Sequence, residues 1–443
     1  MRVLFPHQNM VGPSQAGNAR GARTAAALLE AGCAVDVVAA DRTYLGVPVD
    51  RPKSAVEGRL RIERVHLPAC ASKAGSYAAF QAGVLSRRLP RPDVVLATTP
   101  PLPSVAVAMG LAARWRVPLV LEVRDLWPAF LVEGGLLQNA LVIRGLEVLE
   151  LTGLSMAAGV VSVTPGFLPY FRALGVREVL VAVSGLDPSF ARPRNAQPGP
   201  GFRAIYTGSL NEAYGVGVLA GVARAGAVGG WSVVVTGAGR QESAVRAVPG
   251  LQFHGSLPRD KLPPLLHQAH AGINIHAPWP LLATTLTGKL FDYMAAGLPV
   301  VEAAGGAMGA LVDYLGAGLR CEHGPGALAE AIAWMQSHPE AREEMGAAGA
   351  AAASGPLSAD AQARRMAQAV VGWAKTGEPV TPGRLARGVV EAARKVARHE
   401  PATAIAEAFE GQPSRVAEQV TRHWLDGLEQ LAPGPAMAIP SIL

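Results

Sequence analysis

The sequence is poor in the residues that build disulfide-linked, metal-binding or membrane-spanning proteins. Its three cysteines, Cys33, Cys70 and Cys321, lie far apart, with no CxxC pair and no metal-ligand spacing. That usage fits a reducing compartment. The ten histidines are scattered and form no HExxH pattern, so neither a metal nor any other cofactor is expected. Apolar runs stop short of the ~18 residues that a membrane-spanning helix needs. The stretch SVAVAMGLAARWRVPLVLEV, for example, is broken by two arginines and a proline. The start, MRVLFPHQNM, lacks the apolar core and small-residue cleavage site of a signal peptide, which leads us to expect a cytoplasmic protein. Charged residues make up only 17%, and no dense Lys/Arg run with interleaved aromatics occurs, so nucleic acid is not an expected partner. A net charge of +6 suits anionic small molecules or peripheral contact with an anionic membrane face.

What is abundant is apolar and periodic. Half of the 443 residues are hydrophobic, enough for two or three cores. Short runs such as MRVLFP, AVDVVAA, PDVVLAT, VPLVLEV and GVVSVT alternate with longer Ala/Leu-rich stretches of helical period. Continuously apolar strands between helices predict a parallel sheet covered on both faces. The pattern pauses over 183–202, rich in Pro, Gly and polar residues, then restarts with RAIYTGSL, WSVVVTGAG, LQFHGSL, AGINIHA and PVVEAAG. The expectation is an α/β protein of two doubly wound, Rossmann-like domains. They span 1–182 and 203–355, with a helix over 356–375 crossing back to the first domain. Such sheets bind ligands at their carboxyl ends, so both domains aim their loops into a shared crevice. Residues 376–443 form a helical extension with nearly balanced charge, read first as a cap on the protein itself and second as a partner-docking element.

Within this frame, TGKLFDYMAAGLPVVEA places Lys289 in the first turn of a helix. A cation there opposes the helix dipole, at ~0.3–1 kcal/mol, unless an anion sits beside it. Asp292 follows one turn later, where it could accept hydrogen bonds from ribose hydroxyls; a solvated lysine with a dipole-tempering aspartate is the alternative. YTGSLNEAYG offers Gly208 and Ser209 after a strand, and VVVTGAGRQ offers Gly237 and Arg240 in the same setting. In the first half, Gly12, Gly17 and Arg20 follow the first strand, while LEVRDLWPAF puts Arg124, Asp125 and Trp127 just past another.

VLEVRDLWP, VVSVTPGF, YTGSL, FHGSLPRDKLPPLL and GKLFDYMAAGLPVV occur in the order found in family-four retaining glycosyltransferases of the GT-B fold. The sequence is most similar to the bacterial O-antigen and capsule branch that includes N-acetylfucosamine transferases, over about Met1 to Lys375. The resemblance implies a nucleotide-diphosphate sugar, UDP-linked, on the second domain. It implies a glycan, polyprenyl-linked or small-molecule acceptor on the first. By it, Lys289 meets the diphosphate, Asp292 stands where the family usually has a ribose-binding glutamate, and Gly208 and Ser209 line the phosphate loop. Phe253, His254, Gly255 and Leu257 approach the nucleobase. Arg20 matches the arginine of the first helix, and Arg124 and Asp125 face the reacting sugar. Two departures stand out. The phosphate loop carries Glu212 and no base, leaving Arg240 or Arg259 to supply the charge. The usual second acid, eight residues before Asp292, is Thr284. A GT-B sugar-nucleotide 2-epimerase and a turnover-deficient sugar-nucleotide-binding or scaffold protein are the alternative readings.

Overall fold

The computed structural model describes residues 1–10, 19–43, 46–49, 53–68, 72–193, 199–398, 408–409, 411–428 and 437. Its first sheet has eight strands: β1 (Arg2–Pro6), β2 (Ala34–Ala40), β3 (Ala55–Glu57), β4 (Leu60–Val65), β5 (Val94–Thr99), β6 (Leu119–Val123), β7 (Gly159–Ser162) and β8 (Val179–Val181). They run in the order β3-β4-β2-β1-β5-β6-β7-β8. All are parallel except the edge strand β3, which is antiparallel to β4. Strands β5, β6 and β7 are buried along their whole length, and β1 and β2 beyond their first residue, because helices cover both faces. Those helices include α1 (Arg20–Glu30), α2 (Pro103–Trp115) and α3 (Ala140–Met156).

The second sheet is wholly parallel, with β9 (Phe202–Ser209), β10 (Trp231–Ala238), β11 (Leu251–Phe253), β12 (Ala271–Asn274), β13 (Val300–Glu302) and β14 (Gly318–Arg320) in the order β11-β10-β9-β12-β13-β14. Helices α4 (Gly288–Ala295) and α5 (Gly306–Leu315) follow β12 and β13. Each sheet therefore reverses its winding beside its central strand, β1 or β9, where open α/β sheets form their ligand crevices.

The segment that joins the domains is not a loose tether. Val183, Leu186 and Phe190 are almost fully buried, and Leu186 bridges Ser358 on the returning chain. Helix α6 (Ala359–Thr376) then lies along α1 of the first domain, and α7 (Pro382–Arg398) packs along α3. Helix α8 (Pro413–Leu428) returns to the second domain. There Ala417, Thr421, Leu425 and Leu428 make a buried stripe against α5 and the turn Pro280–Thr284, and α8 also touches the first-domain turn Pro165–Phe167. Ion pairs of Arg320 with Glu418 (2.6 Å) and of Arg422 with Asp313 (3.0 Å) flank that stripe. Truncating the buried Leu425 to alanine removes apolar contact that α8 cannot replace by settling. It is expected to destabilise the protein by ~2–5 kcal/mol, read as a lower urea midpoint.

Candidate functional site

The carboxyl ends of β9, β12 and β13 converge on the first turn of α4. Lys289 in that turn is not solvated: it is 7% exposed. Its Nζ lies 3.2 Å from the Tyr206 hydroxyl and 4.4 and 4.7 Å from the ring centroids of Tyr206 and Tyr214. Among the described residues, no carboxylate forms an ion pair with it. Burial pulls its pKa down from 10.5 to about 7, against an upward pull from Glu302. A buried ammonium with only a phenol and two ring faces for company is an unfinished anion site.

The glycine loops explain what can reach it. A Cβ on Gly208 would stand 3.4 Å from the Lys289 Cε, so this backbone passes directly beside the lysine. Gly208 pairs in register with Gly237, and a Cβ on Gly237 would fall 1.7 Å from the Gly208 carbonyl oxygen. Both lie at positive φ, 120° and 152°, so glycine is favoured at both by conformation, and at Gly237 by space as well. The Gly255 carbonyl accepts from the Gly237 N–H (2.8 Å) and from Thr236 Oγ1 (2.6 Å), which ties the third loop to the second. His254 is exposed on that loop and Leu257 half-buried. Ser209 Oγ accepts from Asn211 Nδ2 at 2.6 Å. The acid in the phosphate loop is neutralised on the spot: Glu212 pairs with Arg240 at 3.0 Å. That pair is solvent-exposed, whereas Arg259 is largely buried and grips Asp292 at 2.8 Å and Asp187 at 3.2 Å. Burial raises the Asp292 pKa while Arg259 opposes it.

Several residues here carry no signature motif. Asn274, His276 and Glu302 are all under 3% exposed. Glu302 accepts from the Ala304 and Gly305 N–H groups (2.7 and 3.1 Å) and from Asn274, whose Oδ1 accepts from Thr287 at the start of α4. Burial pushes the Glu302 pKa up to about 7. Both ring nitrogens of His276 lack a hydrogen-bond partner, and burial together with the Lys289 charge holds the ring neutral. A polar residue closing an otherwise apolar run, as in GINIH and PVVE, is the signal that marks them. Thr284, at the position of the missing acid, is fully buried: its hydroxyl donates to Leu281 O and its carbonyl accepts from Thr164 Oγ1 of the first domain.

In the first domain, the buried Glu122 on β6 needs a cation, and Arg20 supplies it at 2.6 Å. The same guanidinium donates to the carbonyls of Ala182 and Val183 (2.7 and 2.6 Å), so Arg20 anchors the interdomain segment to the first sheet. Burial opposes the Glu122 charge, but Arg20, Arg124 and His7 hold its pKa low. His7, between the same groups, is pulled down to about 4 by burial and then by Arg124. Asp125 keeps partial access to solvent, and desolvation raises its pKa while Arg124 lowers it. Trp127 packs edge-on to Tyr77, with ring centroids 6.4 Å apart. Gly12 and Gly17 lie outside the described residues. Across the crevice, Phe130 meets Trp279 and Glu133 accepts from the Leu281 N–H.

Residues 17–186 match the glycosyl transferase 4-like domain and residues 201–338 the glycosyl transferases group 1 family. The chain belongs to the GT-B glycosyltransferases. Among solved structures it is similar to a sucrose-phosphate synthase from Thermosynechococcus elongatus, at 17% identity and a TM-score of 0.64, over 83% of this chain and 98% of that one. It is also similar to HepE of Anabaena in complex with UDP, at 16% identity and a TM-score of 0.60, over 84% and 100%. A third likeness is to WaaG, a glycosyltransferase involved in lipopolysaccharide biosynthesis, at 13% and 0.60, over 84% and 100%. At such identities the likeness is one of fold. No curated protein matches the sequence.

The Arg20–Glu122 pair generates a direct expectation for this GT-B protein. Glu122→Ala leaves the Arg20 charge buried without its carboxylate and costs ~3–5 kcal/mol in chemical denaturation.

Proposed function

We propose that this chain is a retaining glycosyltransferase that binds a UDP-linked sugar on the second domain and transfers the sugar to a hydroxyl of an acceptor on the first. The observation that carries the reading is Lys289: buried, at a helix N-terminus, beside Gly208, and without an acid. A diphosphate supplies the missing charge, with the free N–H groups of the first turn of α4 as further donors. HepE of Anabaena, which shares the fold, has been solved with UDP and with UDP-glucose. In the proposed reaction the bond from the anomeric carbon to the diphosphate oxygen breaks as the acceptor oxygen bonds to the same face. The acceptor proton passes to the departing diphosphate. Lys289 stabilises the charge that develops there, and Arg124 and Asp125 face the reacting sugar. The acceptor is a glycan, a polyprenyl-linked species or a small molecule.

Thr284 favours a second reading, a sugar-nucleotide-binding protein without turnover. Where the resembled family has an acid, this hydroxyl is spent on the Leu281 carbonyl of its own turn, and the Thr284 carbonyl on the domain contact.

Calorimetry with UDP is the first test. The expected result is binding by the protein and a loss of at least tenfold, ~1.4 kcal/mol, in Lys289→Met. If UDP, GDP and dTDP all bind equally weakly to both proteins, the donor site is wrong. An acceptor screen with anomeric configuration read by NMR then separates retention from inversion. Absence of UDP release with every acceptor would favour the second reading.

The lysine also sets a pH dependence. Its pKa is depressed in the free protein and is restored toward 10.5 by a bound diphosphate, so binding takes up a proton wherever the free lysine is neutral. UDP affinity is therefore expected to fall as pH rises above about 7, by up to ~tenfold per unit, and to be flat over this range in Lys289→Met. Unfolding without nucleotide has the opposite slope: the unfolded chain binds the extra proton, so this group's contribution to stability rises with pH from about 7.

A further inference from the structure

The charge of the C-terminal extension is balanced only on average. Helix α8 carries Arg415 and Arg422 against Glu418 and Asp426, and its Arg422 and Glu418 are engaged with the second domain. Helix α7 carries Arg384, Arg387, Arg394, Lys395 and Arg398 against the single acid Glu391. The fold thus separates a basic helix from a neutral one and lays the basic one on the first domain.

The orientation of α7 follows from its contacts. Gly388, Ala392 and Val396 face inward, with Gly388 against Met156 and Arg384 donating to the Ser155 carbonyl. Starting at the carboxyl end of α3 and packing along it, α7 runs back toward the start of α3. At ~1.5 Å per residue, Arg398 comes level with Gly145 and Arg144. On the opposite face of α7, Arg387, Val390, Arg394 and Arg398 recur at i, i+3, i+7 and i+11, one exposed stripe whose single acid, Glu391 at i+4, is paired with Lys395 at 3.8 Å. At the end of α3 that this stripe approaches, apolar side chains stand in water: Leu141 is 82% exposed, Leu136 52%, and Val142 is exposed beside them, with Arg144 next in line. Asn139 caps the helix start and fixes that presentation.

We propose that the outward face of α7 and the exposed start of α3 together dock the first domain on an anionic phospholipid bilayer. Cations in a stripe meet anionic headgroups, and neighbouring Leu and Val side chains enter the interface. Among the described residues no helix is long and apolar enough to cross a membrane, so the contact is peripheral. Helix α7 lies outside both family-matched segments. The segment that ends in Leu136 and Leu141 begins at Trp127, so an acceptor carried on a lipid would arrive beside the first-domain half of the crevice. That last consequence rests on the proposed transferase function; the docking itself does not.

The test is co-sedimentation of the full chain with vesicles of equal parts phosphatidylcholine and phosphatidylglycerol, and with phosphatidylcholine alone, at low and high salt. The expected result is binding to the anionic vesicles only, weakened by salt. Arg387→Glu/Arg394→Glu/Arg398→Glu is expected to lower it by at least ~tenfold. Leu141→Asp should lower it without changing net cationic charge on α7, and Arg224→Glu, exposed on the second domain, should leave it unchanged. All variants keep the parent thermal midpoint and UDP affinity. The proposal is overturned if the parent protein stays in the supernatant, if the triple variant binds as the parent does, or if Arg224→Glu weakens binding equally. It is overturned as well if the protein self-associates and Leu141→Asp abolishes that, since a second copy then covers the face. Vesicle binding lost with UDP binding intact sinks the docking alone, whereas UDP binding absent with vesicle binding intact sinks only the donor site.

Discussion

One carboxylate holds the two domains in register. Asp187, on the segment between them, is ion-paired to Arg23 of the first domain at 2.7 Å and to Arg259 of the second at 3.2 Å. Arg23 reaches on to Asp360 at the start of α6, and Arg259 to Asp292 in α4. Burial disfavours the Asp187 charge, but the two guanidiniums bring its pKa down to about 2. Its contribution to stability is therefore fully present above the ordinary aspartate pKa and lost only as pH falls toward 2. A buried chain of this kind is worth little in net stability and a great deal in geometry, because any misaligned member leaves a charge unmatched. The position of Asp292 in the crevice depends on the first domain for that reason.

The same logic divides the crevice into finished and unfinished parts. Arg20 and Arg259 are largely buried with an acid in place, so their charges are already used. Lys289 has none among the described residues, and the two adjacent strands carry Gly208 and Gly237 at positive φ, where a side chain is strained. A cation without a carboxylate, beside a backbone that admits close approach, is what a diphosphate requires.

How much of this was visible in the sequence depends on the distance over which each feature is decided. The two parallel sheets follow from short apolar runs alternating with helical periods, a local pattern, and they are as read, apart from the antiparallel edge β3. Lys289 was legible because its conflict with the helix dipole is also local. Arg20 was not: its direction is set by Glu122, about a hundred residues away, and by the carbonyls of Ala182 and Val183. Glu212 looked like a defect in the phosphate loop because Arg240, its partner, belongs to the next strand's loop. Thr284 looked like a missing acid, and only the fold shows its hydroxyl closing a turn on Leu281 while its backbone carbonyl meets Thr164. The extension misled through averaging, since α7 and α8 go to different domains and their charges do not meet.

Because α6 and α7 return to α1 and α3, the first domain is assembled from both ends of the chain. During synthesis its sheet emerges early, yet the apolar seats that α6 and α7 fill stay bare until the whole second domain has left the ribosome. The half of the protein made first is thus the half completed last. Its early intermediates carry exposed apolar surface for as long as the remaining chain takes to appear, a demand on chaperones that two self-contained domains would not make.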